Sequence, residues 1–395
     1  MGLKTGFKQT EIGPIPERWG VEPLNRKIEI KHGFAFQSRY FVDHGQYLLT
    51  TPGHFYEEGG FRDIGEKQKY YRGPIPKDYL LSPGDLIVAM TEQADGLLGS
   101  SAFIPPTGTY LHNQRLGKVI VLRPEIDPAY LFYVFNSRNY RSKVRETAAG
   151  TKVKHTSPEK LLEITVALPP LPEQQAIAGA LDNVDSLIST MERHIAKKRD
   201  IKKAAMQQLL TGLTRLPGYN GKWKVKRLGD FVEIKKGTLI TEKDALPGTI
   251  PVIAGGKNPA YFHDRPNRTG KTITVSASGA YAGYVALYEL PIFASDCSTI
   301  SESQCYSIKF IYYQLCLKQE FIYKAQTGGA QPHIHPIDLV PLEIGVPEIV
   351  EQNAVAAVLS DMDSEIAALE QRRDKTCALK QGMMQELLTG RIRLV

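Results

Sequence analysis

Cysteine is scarce in this chain, and long apolar runs are missing. The four cysteines all lie in the second half of the sequence, and none shows the CxxC spacing of a zinc site. We therefore expect reduced thiols in a cytoplasmic protein, without a disulfide framework. No stretch approaches the roughly 18 uncharged apolar residues of a membrane-spanning helix, and the N-terminal residues lack an apolar signal core. Neither membrane insertion nor secretion is expected.

Sequence motifs of catalysis are also missing. Gly270-Lys271-Thr272 ends like a phosphate-binding P-loop, but Arg265 stands where the first glycine of that motif belongs. Leu168-Pro169-Pro170-Leu171 lacks the Asn or Asp that a base methyltransferase places before its prolines. His333-x-His335 has no neighbours of the kind that complete a metal site. Because no nucleophile, base and orienting partner can be assembled, the chain is expected to hold no metal or cofactor and to catalyse nothing.

What the sequence does contain is an ordinary globular composition with a basic balance. Of its 395 residues, 42% are hydrophobic and 23% are charged, which suits two or three domains that each bury a core. The formal net charge is +7 and the pI is about 9.0. This balance is compatible with a nucleic-acid partner, but solvated lysines alone would also produce it.

The end of the chain repeats its middle. Residues 173–212 and 351–390 align at an offset of 178 without a gap, and 17 of the 40 aligned positions are identical. Both segments begin with Glu-Gln and end with Leu-Leu-Thr-Gly. A repeat of this length indicates one supersecondary unit that is used twice. The protein is therefore expected to do one thing at two places on a partner.

A second, shorter repeat has a different offset. Trp19-Gly20-Val21 and Trp223-Lys224-Val225 contain the only two tryptophans and are 204 residues apart. Each half therefore has a shared beginning, a divergent interior and a shared end. We interpret the divergent interiors as regions that each recognise a different target. The alternative is that their loops diverged without functional consequence after an old duplication. The predicted boundaries are residues 1–160 and 217–338 for two globular domains, and residues 161–216 and 339–395 for two helical regions.

The repeated segments are predicted to form two long helices. The proline after Leu171 suits a first helical turn, and Gly212 and Gly390 stand where a left-handed C-terminal cap is expected. Apolar residues recur at alternating steps of four and three, a spacing typical of a coiled-coil seam. The predicted seam consists of Ile177, Leu181, Val184, Ile188, Met191 and Ile195 in one copy and Val355, Leu359, Met362, Ile366 and Leu369 in the other.

Two such seams are best covered when they pack on each other. Each helix of roughly 40 residues would be about 60 Å long, and antiparallel packing would place the two globular domains at opposite ends. The predicted fold class is therefore α+β. It has two globular domains of mixed α/β character, each followed by a long helix, and the two helices pack as an antiparallel coiled coil with pseudo-two-fold symmetry.

The seam becomes polar further along each helix. Its next positions are Lys198 and Lys202 in one copy and Arg373, Thr376 and Lys380 in the other. One interpretation is a solvated helix face. The other is a surface that binds another subunit or follows a phosphate backbone.

The divergent interiors are predicted to contain short strands joined by polar loops, with aromatic-rich helices at residues 127–145 and 308–326. Loops rich in amide, basic and aromatic side chains suit the reading of base edges, since Asn and Gln pair with adenine and Arg and Lys with guanine. The candidate base readers are Gln37, Arg39, Gln93, Asn113, Gln114 and Arg115 in the first domain and Lys257, Asn258, Ser278, Tyr281 and Gln331 in the second. The candidate phosphate contacts are Lys31, Lys152, Lys235, Lys236 and Lys271.

A set of motifs recurs in a fixed order along nearly the whole chain. It consists of Pro169 to Ile177 with the looser copy Pro347 to Val355, both Leu-Leu-Thr-Gly endings, the two tryptophan segments, Gly84-Asp85-Leu86, Asn113-Gln114-Arg115-Leu116-Gly117 and Gly328-Gly329-Ala330-Gln331-Pro332-His333. In this order, the motifs resemble those of the specificity (S) subunit of Type I restriction–modification systems. The second half departs from the pattern in two ways. The proline of its repeated segment falls three places earlier, which leaves the start of the second helix open by one turn, and Ser295-Asp296-Cys297 is the candidate for its Asn-Gln-Arg segment.

The resemblance implies a DNA-binding protein. Each interior would be a target recognition domain for one half of a split double-stranded DNA sequence, and the helices would fix the separation of the half-sites. Two methyltransferase (M) subunits would attach to the helices and shared regions, carry S-adenosylmethionine and methylate adenine after flipping it. Motor-nuclease (R) subunits would join the complex and cleave unmodified DNA with ATP and Mg²⁺. The S subunit itself would be non-catalytic.

Three alternatives remain open from the sequence. The chain could be the specificity chain of a related fused or Type II system, with the same recognition chemistry and other partners. It could be a coiled-coil adaptor whose two globular ends bind proteins. It could also be an unrecognised nuclease or transferase. Selection of a split DNA consensus, absence of DNA selection, and turnover by the chain alone would separate these readings.

Overall fold

A computed structural model describes residues 5–93, 96–328 and 331–394 of the chain. The chain divides into two compact units. The first unit combines Met1–Ser189 with Asp374–Val395, and the second is Thr190–Arg373. Each unit therefore contains one globular region together with parts of both repeated segments. Gly329 and Ala330 of the second-half motif lie outside the described residues.

The globular part of the first unit is built from short strands and three short helices, and a long helix begins after it. Its strands are β1 (Phe7–Thr10), β2 (Gly13–Pro16), β3 (Gly20–Pro23), β4 (Ile28–His32), β5 (Phe41–Val42), β6 (Tyr47–Thr50), β7 (Tyr70–Tyr71), β8 (Leu80–Leu81), β9 (Leu86–Ala89), β10 (Thr91–Glu92), β11 (Ser101–Phe103), β12 (Thr109–His112), β13 (Leu116–Val121), β14 (Lys154–His155) and β15 (Thr165–Leu168). Its helices are α1 (Pro128–Asn136), α2 (Arg138–Glu146), α3 (Pro158–Leu162) and the first half of α4 (Leu171–Leu209).

The second unit has the same kind of construction with fewer strands. Its strands are β16 (Lys224–Arg227), β17 (Lys235–Lys236), β18 (Ile250–Ile253), β19 (Tyr261–His263), β20 (Thr272–Ser276), β21 (Val285–Tyr288), β22 (Phe293–Ala294), β23 (Cys297–Ser301) and β24 (Glu343–Val346). Its helices are α5 (Leu228–Phe231), α6 (Ile308–Leu317), α7 (Gln319–Lys324), α8 (Pro336–Leu339) and the first part of α9 (Ile349–Leu387).

The two interiors share one strand arrangement although their sequences diverge. In the first unit the main sheet has the antiparallel order β11-β9-β13-β4, and in the second it has the order β21-β20-β23-β17. A neighbouring sheet contains the parallel pair β6 and β12 in the first unit and the parallel pair β18 and β22 in the second. The interiors therefore differ in their loops and added strands, not in their architecture.

The aromatic-rich stretches form the expected helices against these sheets. Asp127 caps α1, where its side chain accepts hydrogen bonds from the backbone N–H groups of Ala129 and Tyr130. Tyr130 and Phe135 of α1 are fully buried. In the second unit α6 and α7 together cover most of the predicted range 308–326. Both helix predictions are confirmed.

The two long helices match each other in length and position. Each has 39 residues, and the starts at Leu171 and Ile349 are related by the repeat offset. The earlier proline of the second copy therefore does not move the helix start. Gly212 and Gly390 have φ angles of 73° and 68°. This is the left-handed conformation that glycine adopts most easily after a helix.

Within each unit the two helices run in opposite directions. In the first unit Glu173, near the start of α4, pairs with Arg393 beyond the end of α9, and Asp185 pairs with Lys380. The second unit has the same arrangement with the two helices exchanged. The prediction of antiparallel packing is confirmed. All of the seam residues predicted above, from Ile177 to Ile195 and from Val355 to Leu369, are buried or half-buried.

The polar end of the seam is occupied by ion pairs between the helices. Lys198 Nζ lies 2.6 Å from Glu365 Oε1, and Lys202 pairs with Asp363. In the first unit Lys380 Nζ lies 2.6 Å from Asp185 Oδ1. These lysines therefore serve as contacts between α4 and α9. Arg373 and Thr376 are half-buried on α9.

A buried glutamate joins the start of α4 to the rest of the first unit. Glu173 is 1% exposed. Its Oε2 accepts hydrogen bonds from Trp19 Nε1 at 2.9 Å and from Arg393 Nη2 at 2.7 Å. Because Trp19 is itself buried and Arg393 follows α9, this carboxylate ties together the first strands, α4 and the C-terminal segment.

The second unit repeats this cluster with equivalent residues. Glu351, which is 3% exposed, accepts hydrogen bonds at Oε2 from Arg215 Nη2 at 2.5 Å and from Trp223 Nε1 at 3.3 Å. Glu351 and Arg215 are related to Glu173 and Arg393 by the offset of 178. The matching positions of the repeat therefore hold each helix start against its own globular region.

Candidate nucleic-acid interface

Three candidate loops of the first unit are joined at one end of its main sheet. Phe34, which follows β4, pairs with Asn113, and its carbonyl oxygen accepts a hydrogen bond from Gln114 N at 3.0 Å. Met90, which follows β9, donates its N–H to Arg115 O at 2.9 Å. The close approach requires Gly33, since a Cβ there would lie 2.0 Å from the carbonyl oxygen of Asn113.

The turn at residues 113–115 is shaped by buried polar side chains. Burial lowers the pKa of His112 to about 4, so the neutral ring donates from Nε2 to Leu116 O at 2.9 Å. Asn113 is 9% exposed, and its Oδ1 accepts a hydrogen bond from Arg115 N at 3.0 Å. Gln114 and Arg115 are exposed. Asn113 thus organises the turn, and its two neighbours present their side chains to solvent.

Gln93 is exposed at the end of β10, next to a loop fixed by two residues that the sequence did not single out. Glu92 is 2% exposed, and its Oε2 accepts hydrogen bonds from the N–H groups of residues 96, 97 and 98 at 2.7–3.1 Å. Arg141 is buried and donates to Leu98 O at 2.7 Å and to Glu57 O at 3.0 Å. Burial lowers the pKa of Arg141 to about 10, which leaves it charged at neutral pH. The burial of a single charged residue such as Arg141 in α2 cannot be predicted from the periodicity of the sequence.

Lys152 lies in a further loop beside the same strand end. Ala149 and His155 exchange two backbone hydrogen bonds, of 3.0 and 2.8 Å, and so close this loop. His155 Nδ1 lies 3.2 Å from Thr91 Oγ1, which places the loop against β10. The Lys152 side chain is exposed. The first unit therefore brings Gln93, Gln114, Arg115 and Lys152 into one group of neighbouring loops.

The remaining candidates of the first unit differ in how exposed their side chains are. Gln37 and Arg39 are exposed near the 3₁₀ turn Ser38–Tyr40, where the Arg39 guanidinium lies 4.9 Å from the ring centroid of Tyr40. Lys31 is half-buried on β4, and its Nζ lies 3.4 Å from Asp78 O and 4.0 Å from Asp78 Oδ2. Lys31 is thus already engaged by the protein, whereas Gln37 and Arg39 present unburied side chains.

Candidates of the second unit also meet at the end of its main sheet. Lys257 Nζ lies 5.0 Å from the ring centroid of Tyr281 and is exposed. The N–H of Gly279, next to Ser278, donates to Pro332 O at 3.1 Å, and Gln331 is exposed beside that contact. Lys257, Ser278, Tyr281 and Gln331 therefore lie on adjacent loops, with the exposed Asn258 next to Lys257.

The other lysines of the second unit are placed differently. Lys235 and Lys236 form the edge strand β17, and Lys235 Nζ lies 2.9 Å from Glu233 Oε2. Lys271 precedes β20, whereas Ser278 follows it, so a five-residue strand of about 17 Å separates them. Lys271 Nζ lies 3.7 Å from Glu289 Oε1. The structure does not bring Lys271 together with the other candidates.

The described part of the chain shows neither a metal cluster nor a membrane-spanning helix. Residues 5–93, 96–328 and 331–394 contain no group of three or more His, Cys, Asp or Glu side chains placed to hold a metal ion. The rings of His333 and His335 stack with centroids 6.2 Å apart. None of the described helices has the length and apolar character needed to cross a bilayer.

Comparison with known proteins adds a family and a fold. The family described as the Type I restriction modification DNA specificity domain matches residues 16–198 and 220–376. The specificity subunit of the Type I restriction enzyme MjaVIII of Methanocaldococcus jannaschii is 30% identical over 225 residues, which are 54% of this chain and 50% of that protein. The chain thus spans about half the length of that relative.

Two further proteins match nearly the whole chain. The putative Type I restriction enzyme MjaX specificity subunit of the same organism is 24% identical over 424 residues, which cover 98% of this chain and 97% of that protein. The S subunit of a Type I restriction–modification system from M. genitalium has a TM-score of 0.63 at 15% identity and covers 98% of both chains. At that identity the structural likeness concerns the fold alone.

Proposed function

The chain belongs to the family of Type I restriction–modification DNA specificity domains, and from that premise we propose how it recognises DNA. The first unit binds one half of a bipartite double-stranded target, and the second unit binds the other half. The observation that carries this proposal is that two units with one strand arrangement present different loops at the same end of their main sheets. A common scaffold with different loops suits two readers of different sequences.

The loops divide into base readers and phosphate contacts. In the first unit Gln93, Gln114 and Arg115 are exposed on neighbouring loops and read base edges, and Lys152 beside them contacts phosphate. Asn113 keeps the turn in shape. Lys31 has an internal partner, so it contributes less. Gln37 and Arg39 extend the reading surface from the turn after β4.

In the second unit the readers are Lys257, Asn258, Tyr281 and Gln331, and Ser278, whose hydroxyl donates to Asp296 Oδ2, shapes the loop beside them. The ammonium of Lys257 lies over an aromatic ring, which orients it and leaves its hydrogen atoms available to a base or phosphate oxygen. Lys235 and Lys236 contact phosphate from the sheet edge. Lys271, at the other end of β20, contacts DNA only if the duplex passes both ends of that strand.

The two long helices act as the spacer of the target. Two weak readers that are joined by a rigid element gain affinity through effective concentration, provided that both reach their half-sites together. Each helix has 39 residues, or about 58 Å at 1.5 Å per residue. Half-sites on one face of DNA recur about every 34–36 Å, so helices of this length can separate two readers over such a gap.

Two methyltransferase (M) subunits dock on equivalent surfaces of the helices. Ile201 of α4 belongs to the second unit and Leu379 of α9 to the first, and the repeat offset relates them. Apolar residues of a helix usually pack against a partner, yet Ile201 and Leu379 are 45% and 60% exposed. Each is therefore a suitable contact for a docked subunit. The M subunits carry S-adenosylmethionine, the R subunits use ATP and Mg²⁺, and this chain is non-catalytic. In this scheme the complex is located in the cytoplasm.

Selection of DNA by the intact complex tests the proposal. The full chain would be purified with its methyltransferase partner and incubated with a random double-stranded DNA library. We expect a split consensus of two defined blocks separated by a fixed run of undefined bases. One contiguous block, or no selected sequence, would overturn the proposal and favour an adaptor. Methylation or cleavage by the chain alone would refute its non-catalytic role.

A further inference from the structure

The two units present opposite charges at one equivalent position. Met90 follows β9 and donates its N–H to Arg115 O at 2.9 Å; Ala277 follows β20 and donates its N–H to Asp296 O at 3.1 Å. Because β9 and β20 hold the same place in the two main sheets, Asp296 is the counterpart of Arg115. The sequence suggested only that residues 295–297 replace the Asn-Gln-Arg segment.

Further contacts fix this equivalence. The glycine after β4 and the glycine after β17 approach the two turns in the same way, since a Cβ on Gly237 would lie 2.1 Å from Ser295 O. The N–H of Gly237 donates to Cys297 O at 2.8 Å, just as the N–H of Gly33 donates to Leu116 O at 3.1 Å. Asp296 is therefore held in a turn like that of Arg115, with one residue fewer.

Neither charge has an ion-pair partner among the residues that the structure describes. The Arg115 side chain is exposed, and it makes no hydrogen bond or ion pair with residues of the described ranges. The carboxylate of Asp296 is half-buried and accepts a hydrogen bond from Ser278 Oγ at Oδ2. No lysine, arginine or histidine in the described part of the chain lies within ion-pair distance of it. A carboxylate without a cation is unfavourable at a surface that approaches phosphates.

This inference rests on the proposed function: if the second unit binds DNA, a contact with a base must offset the repulsion between Asp296 and the phosphates. Arginine pairs with the O6 and N7 acceptors of guanine, whereas a carboxylate accepts a hydrogen bond from the N4 amine of cytosine. We propose that Asp296 is a specificity-determining residue that selects cytosine at one position of the second half-site, where its counterpart Arg115 selects guanine in the first. Ser278 is the positioning residue, because its hydroxyl holds one carboxylate oxygen and leaves the other for the base.

The substitution Asp296→Asn tests this inference sharply. Asparagine keeps the size of the side chain. The two lone pairs of its single amide oxygen accept from Ser278 and from adenine N6, and its NH2 group donates to adenine N7. In library selection with the complete S–M complex, we expect the variant to lose preference for cytosine at one position of the second half-site by about 5- to 150-fold. Adenine should replace cytosine there, and the first half-site should stay unchanged.

Three further variants separate base reading from folding. Asp296→Ala should relax the same position without a gain for adenine. Asp230→Asn makes the same change of charge on α5, where the aspartate is exposed and lies before β17 rather than after β22. This control should leave every position of the consensus as it is. Arg115→Ala should relax a guanine in the first half-site only.

The outcomes distinguish this inference from the proposed function. A split consensus that Asp296→Asn leaves unchanged would overturn the inference alone, as would an equal loss of affinity on every DNA sequence. Absence of any split consensus for the unaltered chain would overturn the proposed function and this inference with it. A cytosine-to-adenine change confined to one position supports both.

Discussion

In the first unit, residues 51–85 connect the parallel strand β6 to β9, a central strand of the main sheet. In the second unit, residues 254–271 make the equivalent connection, from β18 to β20. The longer segment adds β7 and β8 to the neighbouring sheet. The main sheets nevertheless keep the same strand order. Length and sequence therefore vary in the connections between strands, whereas the strand order of the main sheets is kept.

The helix junctions show the opposite behaviour. Glu173 with Trp19 and Glu351 with Trp223 form the same hydrogen bond in both units. Asp185 and Asp363 likewise each accept a hydrogen bond from a tyrosine of the globular region and pair with a lysine of the other helix. A carboxylate that is buried or enclosed in this way is expensive to leave unpaired. Two identical positions of the repeat, Glu173/Glu351 and Asp185/Asp363, therefore hold each helix to its globular region.

The largest expected effect comes from breaking one junction. Glu173→Ala leaves the Trp19 N–H and the Arg393 guanidinium without their shared acceptor, and we expect a loss of about 3 kcal/mol in the stability of the first unit. Glu351→Ala should destabilise the second unit less, because Trp223 is half-buried whereas Trp19 is 1% exposed. Hydrogen exchange measured by mass spectrometry would locate each effect.

The matched control for this comparison is Glu386→Ala. Glu386 lies near the end of α9, and its Oε1 lies 3.1 Å from Arg391 Nη1. Both side chains are substantially exposed. Its removal should change exchange rates little, since exposed ion pairs contribute little to stability. Equal protection losses in all three variants would show that the buried clusters have no special role.

A smaller effect should separate a base reader from the residue that shapes its turn. Gln114→Ala removes an exposed amide, and we expect it to reduce discrimination at one base pair of the first half-site by about 1–3 kcal/mol. Asn113→Ala removes the acceptor that holds Arg115 N, so it should weaken binding to every sequence. Competition binding with a set of single-base variants of the target measures both. If Gln114→Ala weakens binding to every DNA equally, the amide is not a base reader.

The smallest expected effect concerns partner docking. Ile201→Glu and Leu379→Glu each place a charge on one of the two equivalent apolar surfaces, and each should weaken the binding of one methyltransferase subunit by about tenfold. Leu187→Glu is the control, because Leu187 is 45% exposed on α4 but its repeat counterpart is the charged Glu365. Native mass spectrometry of the complex would count the subunits. Full occupancy in both variants would place the M subunits elsewhere.

The sequence was informative where structure depends on local periodicity. Heptad spacing and a terminal glycine identify both α4 and α9, and a proline in the first turn also marks α4, because these signals act within one helix. The shared strand order of the interiors could not be predicted, since it depends on pairing between residues far apart in the chain. The partners of Lys198 and Lys202 were missed for the same reason, as a lysine on a helix gives no sign of an acidic residue on another helix.

Prediction of the candidate sites was limited by burial. Gln93, Gln114 and Lys257 are exposed loop residues as their polarity suggests, but Asn113 belongs to the same polar run and is buried. Composition cannot distinguish an amide that reads a base from one that closes a turn. Glu92 and Arg141 were missed because charged residues are expected to be exposed, whereas both are buried: Glu92 Oε2 accepts hydrogen bonds from backbone N–H groups, and Arg141 donates to backbone carbonyls.

The central claim is that the long helices fix the distance between two different readers, and a change of helix length tests it most directly. Four residues would be inserted after Arg193 and four after Gln371, which are equivalent positions of the repeat, so each helix gains about 6 Å. Library selection with the S–M complex should return the same two half-site sequences with a spacer longer by up to about two base pairs. An unchanged spacer, or altered half-site sequences, would contradict the claim.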